Sequence, residues 1–146
     1  MISVRTATRE DLKYIESLEG LSFSEPWSYE SLLAHLDSPL SLMMVAEEDG
    51  ERLGYVYGAV IPPESELYRI AVDRFARRRG AGLKLLEKFL QESMEKGGKT
   101  TYLEVRESNE AARRLYERAG FALVGIRKNY YRSPLENAAV LVRKAN

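Results

Sequence analysis

The chain has 146 residues, enough for a single domain that buries its own core, and we expect one domain over residues 1–146. Apolar residues make up 45% and charged residues 30%, which is typical of a globular protein and not of a disordered or membrane-spanning one. The 22 basic residues balance 22 acidic ones, so no overall field attracts a polyanion. The lack of cysteine excludes disulfides, thiolate metal sites and a cysteine nucleophile. No apolar leader begins the chain and no apolar run nears the roughly 18 residues of a membrane span, so we expect a cytoplasmic protein.

Hydrophobic periodicity and turn residues predict the elements of the first half of the chain. In chain order these are a strand at 2–7, a helix after the capping pattern of Thr8 and Asp11, a second helix capped by Ser28, a hairpin at 40–61 around Asp49-Gly50, and a strand at 66–72 after Pro62-Pro63. Two short helices therefore precede a run of strands.

The second half predicts alternating helices and strands. In chain order these are a helix with Leu83, Leu86, Phe89, Leu90 and Met94 on one face, a strand at 100–105, a helix at 109–120, and strands at 121–131 and 138–144. The order β-α-α-β-β-β-α-β-α-β-β indicates an α/β fold. Its two strand–helix–strand units predict some parallel pairing in this half.

The turn "RFARRRGAGLKLL" leads directly from a strand into a helix. Free N–H groups and the dipole at a helix start bind anions, and basic side chains there are unfavourable without one. Gly80 and Gly82 allow a phosphate to approach the backbone, while Arg77, Arg78 and Arg79 supply forked donors. The P-loop pattern is absent, and the Rossmann pattern fails because Leu85 stands at its third glycine position. A solvated basic turn is the alternative to this predicted phosphate site.

The pattern Arg77-x-x-Gly80-x-Gly82 after "IAV" resembles the signature with which the GNAT family of N-acetyltransferases holds the pyrophosphate of acetyl-coenzyme A. The segments "FSEPWS", "LEVRESNEAARRLYERAGF" and "GIRKNYY" resemble the RimI-type subgroup, which acetylates protein N-terminal amines. The resemblance covers nearly the whole chain. It implies the GNAT fold, a mixed but mostly antiparallel twisted sheet of about seven strands with a central V-shaped splay, flanked by about four helices.

The resemblance also implies how acetyl-coenzyme A binds. The strand Leu67–Val72 should diverge from Tyr102–Val105, and the Val72 N–H is a candidate to polarise the thioester carbonyl. The resemblance implies that pantetheine lies along the backbone of Ile70, Ala71 and Val72. It implies that the pyrophosphate binds to the side chains of Arg77, Arg78 and Arg79 and to the backbone amides from Arg78 through Gly80, Ala81 and Gly82 to Leu83. Asn109 is expected to form a further contact with the cofactor. From the residues alone, Ser108 or Asn109 is a helix N-cap, a role compatible with cofactor contact. The resemblance implies no metal.

Glu104 stands out because it lies within "TYLEV", a strand expected to be covered on both faces. A carboxylate there is costly unless it is paired or used. One reading is a structural ion pair with Arg106, two residues on and on the same face. The other is a general base with a raised pKa that removes a proton from the incoming ammonium, and the resemblance assigns this role to Glu104.

Tyr116 has two readings as well. By spacing it is a core aromatic beside Leu115, whereas the resemblance places its hydroxyl near the thioester sulfur, where it protonates the departing thiolate. Thiols leave readily, with a pKa near 8.5, so this acid should matter less than the base. Because cysteine is absent, we expect direct transfer in a ternary complex without an acyl-enzyme.

The acceptor is the least determined part. Trp27, Tyr130 and Tyr131 are candidate walls for a peptide N-terminus, or ordinary half-buried aromatics. An α-amine has roughly two hundred times more neutral form at pH 7 than lysine, which favours the N-terminus. The sequence departs from the subgroup at Asn137, where an aspartate is usual, and His35 has no predicted role.

The expected partner is a protein N-terminus, with a small-subunit ribosomal protein among the candidates, and the chain is expected to be a monomer or weak dimer without nucleic-acid or membrane partners. Three rivals stay open: a GNAT enzyme acting on a small-molecule amine, a nucleic-acid-binding module that uses the arginine cluster, and a non-catalytic acyl-coenzyme A sensor.

Overall fold

A computed structural model describes residues 1–145 of the chain. Over this range it contains seven strands and four α-helices in the predicted order. They are β1 (Ser3–Thr6), α1 (Leu12–Ser22), α2 (Tyr29–Asp37), β2 (Ser41–Glu48), β3 (Glu51–Ile61), β4 (Glu64–Val72), α3 (Ala81–Glu95), β5 (Thr100–Arg106), α4 (Glu110–Arg118), β6 (Ala122–Tyr131) and β7 (Glu136–Lys144). The predicted α/β class and GNAT architecture are confirmed. None of the helices in residues 1–145 is long and apolar enough to cross a membrane.

Local sequence signals explain where the elements begin and end. The Ser28 hydroxyl accepts the Ser31 N–H and caps α2. Asp49 and Gly50 form the two-residue turn between β2 and β3, both with positive φ. The predicted capping pattern is present at Thr8, although it caps a single 3-10 turn that leads into α1.

The seven strands form one sheet in the order β1-β2-β3-β4-β5-β7-β6. Only the β4–β5 pair is parallel among the strand pairs of residues 1–145, which confirms the prediction for the first strand–helix–strand unit. The second unit gives no parallel pair, because β7 lies between β5 and β6 and is antiparallel to both. Burial explains this position, since β7 buries Ala138, Ala139 and Leu141 whereas β6 is exposed along most of its length.

The two central strands separate halfway along their length. Their pairing ends at Leu67 and Leu103, after which β4 stays paired with β3 and β5 stays paired with β7. At the separation Tyr68 is an extra residue in β4, a bulge that bends the strand. A Cβ on the opposing Gly58 would lie 2.3 Å from the Glu66 carbonyl oxygen, so only glycine fits against this bulge. The predicted V-shaped splay is confirmed.

Each face of the sheet covers a separate core. One core lies under α3 and α4 and includes Leu67 and Phe89, while the other lies under α1 and α2 and includes Ala71. The bulge places Leu67 and Ala71 on opposite faces, although they are four residues apart. The expected core residue Met94 is instead 47% exposed, because α3 buries Leu85 in its apolar stripe.

Asp11 joins the first turn of the chain to the sheet. Its fully buried carboxylate accepts hydrogen bonds from Arg5 at 2.8 Å, from Arg52 at 2.7 Å and from the Thr8 N–H at 2.8 Å. Burial by itself raises the pKa of Asp11, but these hydrogen bonds outweigh burial and hold the pKa well below its usual range.

A second buried carboxylate, Glu19, fastens the loop of residues 23–28 to the sheet. It accepts the Trp27 N–H at 2.8 Å and the Tyr55 hydroxyl, and it lies 3.6 Å from the Arg69 Nε. Arg69 also donates to the Glu25 carbonyl at 3.0 Å, and its guanidinium packs 4.2 Å from the Phe23 ring centre. The 23–28 loop is therefore held by an interior charge on α1 and by an arginine from β4.

The Asp11 contacts predict a pH-dependent loss in Asp11→Asn. A carboxylate with a lowered pKa stabilises the fold fully above its unfolded pKa of about 3.9, and this contribution fades as the pH falls toward the folded value. At pH 7 we expect a loss of about 2 kcal/mol in unfolding free energy, measured by urea denaturation. The difference in unfolding free energy between Asp11→Asn and the wild type should be smaller at pH 3. An equal difference at pH 7 and pH 3 would contradict this account.

The Glu19 contacts predict that Glu19→Ala loosens the 23–28 loop. The change leaves the half-buried Arg69 without a carboxylate partner and removes the acceptor of the Tyr55 hydroxyl, so we expect the unfolding free energy to fall by about 3 kcal/mol. Trp27 is the single tryptophan, so its fluorescence should shift to the red as the loop opens. The matched control is Glu16→Ala, exposed on the same helix, which should stay within about 0.5 kcal/mol of the wild type. Unchanged Trp27 emission in Glu19→Ala would count against the proposed fastening.

Candidate active site

The separation of β4 and β5 opens a cleft of about 850 Å³. One side is formed by the 23–28 loop and the other by the tyrosine segment, residues 129–132, at the end of β6. The sequence-predicted residues that the cleft brings together are Trp27, Ile70, Glu104, Asn109, Tyr116, Tyr130 and Tyr131. The arginine–glycine turn is not part of this lining and lies beyond the end of β4. Ala71 also points away from it, into the core under α1 and α2.

Glu104 lies one residue past the last β4–β5 pair, where the cleft begins. Its side chain is 17% exposed, and its Oε2 lies 2.7 Å from the Arg127 Nε. The N–H of Arg127 is not aimed at this oxygen, so Oε2 has no well-oriented hydrogen bond. The ion-pair partner considered from sequence, Arg106, instead pairs with Glu136 at 3.3 Å. Glu104 therefore lies inside the cleft with a cation from β6 beside it.

Tyr116 is the core aromatic that its spacing predicts, and its role as an acid stays a prediction. It is only 5% exposed and packs edge-to-face on Phe121 with 5.7 Å between ring centres, as a core aromatic does. Its side chain also lines the cleft. Burial, with a smaller contribution from Tyr131, raises the pKa of the Tyr116 hydroxyl, so the group is a neutral proton donor at physiological pH.

The tyrosine segment presents two rings to the cleft. Tyr130 and Tyr131 pack edge-to-face at 5.0 Å, and the Arg106 guanidinium lies 4.7 Å from the Tyr131 ring centre. Burial and the nearby Glu104 carboxylate raise the pKa of Tyr131 to about 12. Both tyrosines thus remain uncharged beside the carboxylate.

An aromatic cluster supports the opposite side of the cleft. Trp27 packs against Tyr57 at 5.6 Å and against His35 at 4.5 Å, and the Arg69 guanidinium lies 4.3 Å from its ring centre. His35 had no predicted role, and it stacks on Tyr57 at 4.8 Å. Burial lowers the pKa of His35, with Arg69 acting in the same direction, so the ring is neutral and serves packing.

Sequence reasoning missed Arg69, and it assigned Arg106 to Glu104 and not to the segment that Arg106 holds at the side of the cleft. Arg69 comes from β4 and holds the 23–28 loop, while Arg106 comes from β5 and donates to the carbonyls of Arg132 and Pro134, each at 2.9 Å. A signal for Arg69 was available. It is a charge within an apolar strand, the same feature that singled out Glu104.

The turn between β4 and α3 has backbone donors at the start of the helix. Within residues 1–145, the N–H groups of Gly80, Ala81, Gly82 and Leu83 donate to no protein acceptor. Gly80 has a φ of +85°, and an added Cβ would meet nothing within 4 Å. Glycine is needed there for its left-handed backbone, and the approach of a phosphate to Gly80 and Gly82 stays a prediction. Free N–H groups at a helix start are the donors that the predicted anion site requires.

The three arginines of this turn are not equivalent. The Arg79 side chain pairs with Glu48 on β2, which also binds the N-terminal ammonium at 2.9 Å, and the Arg79 N–H donates to the Ala76 carbonyl. Arg77 and Arg78 form no ion pair within residues 1–145. Asn109 acts as the N-cap of α4, accepting the Ala112 N–H at 3.1 Å, and it also lines the cleft.

A smaller cavity of about 260 Å³ adjoins the cleft at Tyr68 and Glu104. It is lined by Glu66, whose carboxyl has a pKa raised by burial and by the nearby Glu104. No group of three or more His, Asp or Glu side chains in the part of the chain described could hold a metal ion.

Comparison with known proteins identifies the family. The acetyltransferase (GNAT) family model matches residues 12–121. The chain is 36% identical to the ribosomal protein bS18-alanine N-acetyltransferase of Haemophilus influenzae, over 90% of each chain. It is 35% identical to the N-alpha-acetyltransferase RimI of Mycobacterium tuberculosis, over 90% of this chain and 85% of that one.

Solved structures agree. The crystal structure of the ribosomal-protein-S18-alanine N-acetyltransferase from Escherichia coli superposes with a TM-score of 0.91 at 30% identity, covering 100% of this chain and 95% of that one. Ard1 from Thermoplasma volcanium superposes with a TM-score of 0.90 at 28% identity, covering 99% and 98%. The family predicted from the arginine–glycine turn is confirmed. The chain belongs to the GNAT family of acetyltransferases, whose acetyl donor is acetyl-coenzyme A.

Proposed function

We propose that this acetyltransferase moves the acetyl group of acetyl-coenzyme A to the N-terminal α-amino group of a protein. The observation that carries the proposal is the position of Glu104, at the bottom of a cleft with aromatic side chains on both sides. The names of the Haemophilus influenzae and Escherichia coli relatives specify the N-terminal alanine of ribosomal protein S18. A small-subunit ribosomal protein is therefore the first acceptor to test.

Glu104 acts as the general base. The acceptor arrives as an ammonium, and the Glu104 carboxylate takes one of its protons directly or through a water. The freed lone pair attacks the thioester carbonyl carbon and forms a C–N bond. The C–S bond then breaks, and the nitrogen loses its second proton to solvent as it becomes the amide. Its position supports this role, because Glu104 is the first residue of β5 beyond the β4–β5 pairing and lines the cleft that opens there. The lack of cysteine supports direct transfer in a ternary complex.

Tyr116 acts as the general acid on the other side of the reacting bond. Its neutral hydroxyl gives a proton to the departing thiolate and regains one from solvent afterwards. The raised pKa keeps the proton available at neutral pH. Burial in the core also fixes the ring, which favours a constant distance to the sulfur.

Acetyl-coenzyme A lies across the splay. Beyond Leu67 the edge of β4 that faces β5 has no strand partner, which supports strand-like hydrogen bonds from pantetheine to Ile70, Ala71 and Val72. The free N–H groups from Gly80 to Leu83 bind the pyrophosphate. Because Arg79 is engaged by Glu48, only Arg77 and Arg78 are left to meet the anion. Two arginines at a helix start fit one small anion better than an extended nucleic acid.

The first test is acetyl transfer by Glu104→Gln to a peptide with a free α-amine. We expect kcat/KM at pH 7 to fall by about 10² to 10⁴, with the KM for acetyl-coenzyme A unchanged. The deficit should shrink between pH 7 and pH 9, because an α-amine with a pKa near 8 then loses its proton unaided. The exposed Glu117→Gln serves as control and should match the wild type.

The acceptor panel in the same assay contains peptides with varied first residues, N-blocked peptides with an internal lysine, and polyamines, with products identified by mass spectrometry. Transfer confined to free α-amines supports the proposed acceptor. Turnover of polyamines or blocked peptides as fast as that of free N-termini would overturn it. An unimpaired Glu104→Gln would overturn the assignment of the base.

The second test separates the three arginines. Arg77→Gln and Arg78→Gln should each raise the KM for acetyl-coenzyme A by about tenfold, since each removes a charge-assisted hydrogen bond to phosphate. Neither should change the KM for acetyl-pantetheine, which lacks the pyrophosphate. Arg79→Gln should have the smallest effect because Glu48 already engages its guanidinium. The distinction between the arginines would be refuted if all three variants raised the KM for acetyl-coenzyme A equally. It would also be refuted if Arg77→Gln and Arg78→Gln raised the KM for acetyl-pantetheine as much as that for acetyl-coenzyme A.

A further inference from the structure

Asn137 lies on β7, and both polar atoms of its side-chain amide form hydrogen bonds. Its Oδ1 accepts the Asn129 N–H at 2.9 Å, and its Nδ2 donates to the Glu107 Oε1 at 3.2 Å. Its backbone carbonyl also accepts the Glu107 N–H at 3.0 Å. Asn137 therefore connects the end of β5, three residues after Glu104, with the start of the tyrosine segment.

This arrangement requires an amide and not a carboxylate at position 137. An aspartate could accept the Asn129 N–H, but its second oxygen would face the Glu107 carboxylate at hydrogen-bond distance. Two carboxylates so placed repel each other, and the donor to Glu107 is lost. Asparagine at position 137 and glutamate at position 107 are thus a matched pair.

The backbone that Asn137 holds is irregular. In the β6–β7 register Arg127 faces Ala138 and Tyr131 faces Glu136, so three residues of β6 lie opposite Asn137 alone. Asn129 is one of the three and has a φ of +55°, in the left-handed region. Its N–H is held by the Asn137 side chain where the strand ladder is interrupted. The next two residues are Tyr130 and Tyr131, which line the cleft, whereas Asn137 itself does not.

We infer that Asn137 is a positioning residue for acceptor binding. It acts through Asn129 and Glu107 to hold Tyr130 and Tyr131 against the cleft, without touching the acceptor. This rests on the proposed function for the nature of the acceptor, though not for the positioning itself. The network starts from the backbone of β5, so the tyrosine pair is placed relative to the strand that carries Glu104.

The test is a double-mutant cycle on the full chain with Asn137→Asp and Glu107→Gln. Asn137→Asp should raise the KM for the acceptor peptide about tenfold, with kcat and the KM for acetyl-coenzyme A within about twofold of the wild type. Glu107→Gln alone should stay near the wild type, because the glutamine oxygen still accepts from Asn137. In the double variant the glutamine amide donates to the new carboxylate, so the acceptor KM should return to within about threefold.

The second readout does not depend on the acceptor. Hydrogen exchange of the Asn129 amide, followed by NMR, should accelerate in Asn137→Asp and slow again in the double variant. Rescue in both readouts supports the inference. An acceptor KM that stays high in the double variant would mean that position 137 meets the acceptor directly, and it would overturn the inference. An unchanged exchange rate of the Asn129 amide in all three variants would also overturn the inference. This outcome does not depend on which amine the wild type acetylates.

Discussion

The parting of β4 and β5 after the Leu67–Leu103 pair is the constraint on which the site depends. Each strand keeps its outer neighbour, so the sheet stays continuous on both sides while two facing edges lose their partners. Unpaired backbone N–H and C=O groups away from water are costly, which makes these edges receptive to a ligand that supplies hydrogen bonds. The bulge at Tyr68, which requires Gly58 opposite it, starts the separation in the chain itself. The opening between β4 and β5 is thus built into the sheet, while the 23–28 loop and the tyrosine segment form the sides of the cleft.

The same parting places one arginine on each side. Arg69 on β4 and Arg106 on β5 both reach outward from the diverging strands to backbone carbonyls of the segments that flank the cleft. The planar guanidinium fork can bind two carbonyls and pack on an aromatic ring at once, which a lysine cannot do. Because the arginines bind backbone carbonyls, they hold the flanking segments whatever side chains these segments carry. The side chains can therefore differ between enzymes that acetylate different amines, while the width of the cleft stays the same.

The sequence predicts those features of the fold that depend on residues close together in the chain. Element order, the Asp49-Gly50 turn and the Ser28 cap depend on residues a few positions apart, and periodicity and turn chemistry predicted them correctly. The position of β7 between β5 and β6 depends on which strand buries more apolar surface, and this is decided across the sheet. The ion-pair partner of Glu104 is a similar case. Arg106 is near in sequence, but Arg127 arrives from β6, 23 residues on.

The arginine cluster shows the same limit. Three consecutive arginines form one basic patch in sequence, yet β2 brings Glu48 to Arg79 from 31 residues away and divides the patch. A cluster of basic residues in a sequence predicts that an anion binds to them, but only the fold decides whether that anion is a ligand or a carboxylate of the protein itself. For Arg79 the protein supplies it.

The proposed acid and base have opposite surroundings, and the fold explains the difference. Glu104 follows the last residue of β5 that pairs with β4, and a cation lies beside it in the cleft. Tyr116 is on α4, a helix that covers the core, so its hydroxyl is desolvated and keeps its proton. Because Glu104 lies on the splayed strand and Tyr116 on the helix that follows it, a single strand–helix unit, β5 and α4, fixes the distance between the proposed base and the proposed acid. Acceptor and donor then need only to enter from their own sides of the splay for the reacting atoms to meet between them.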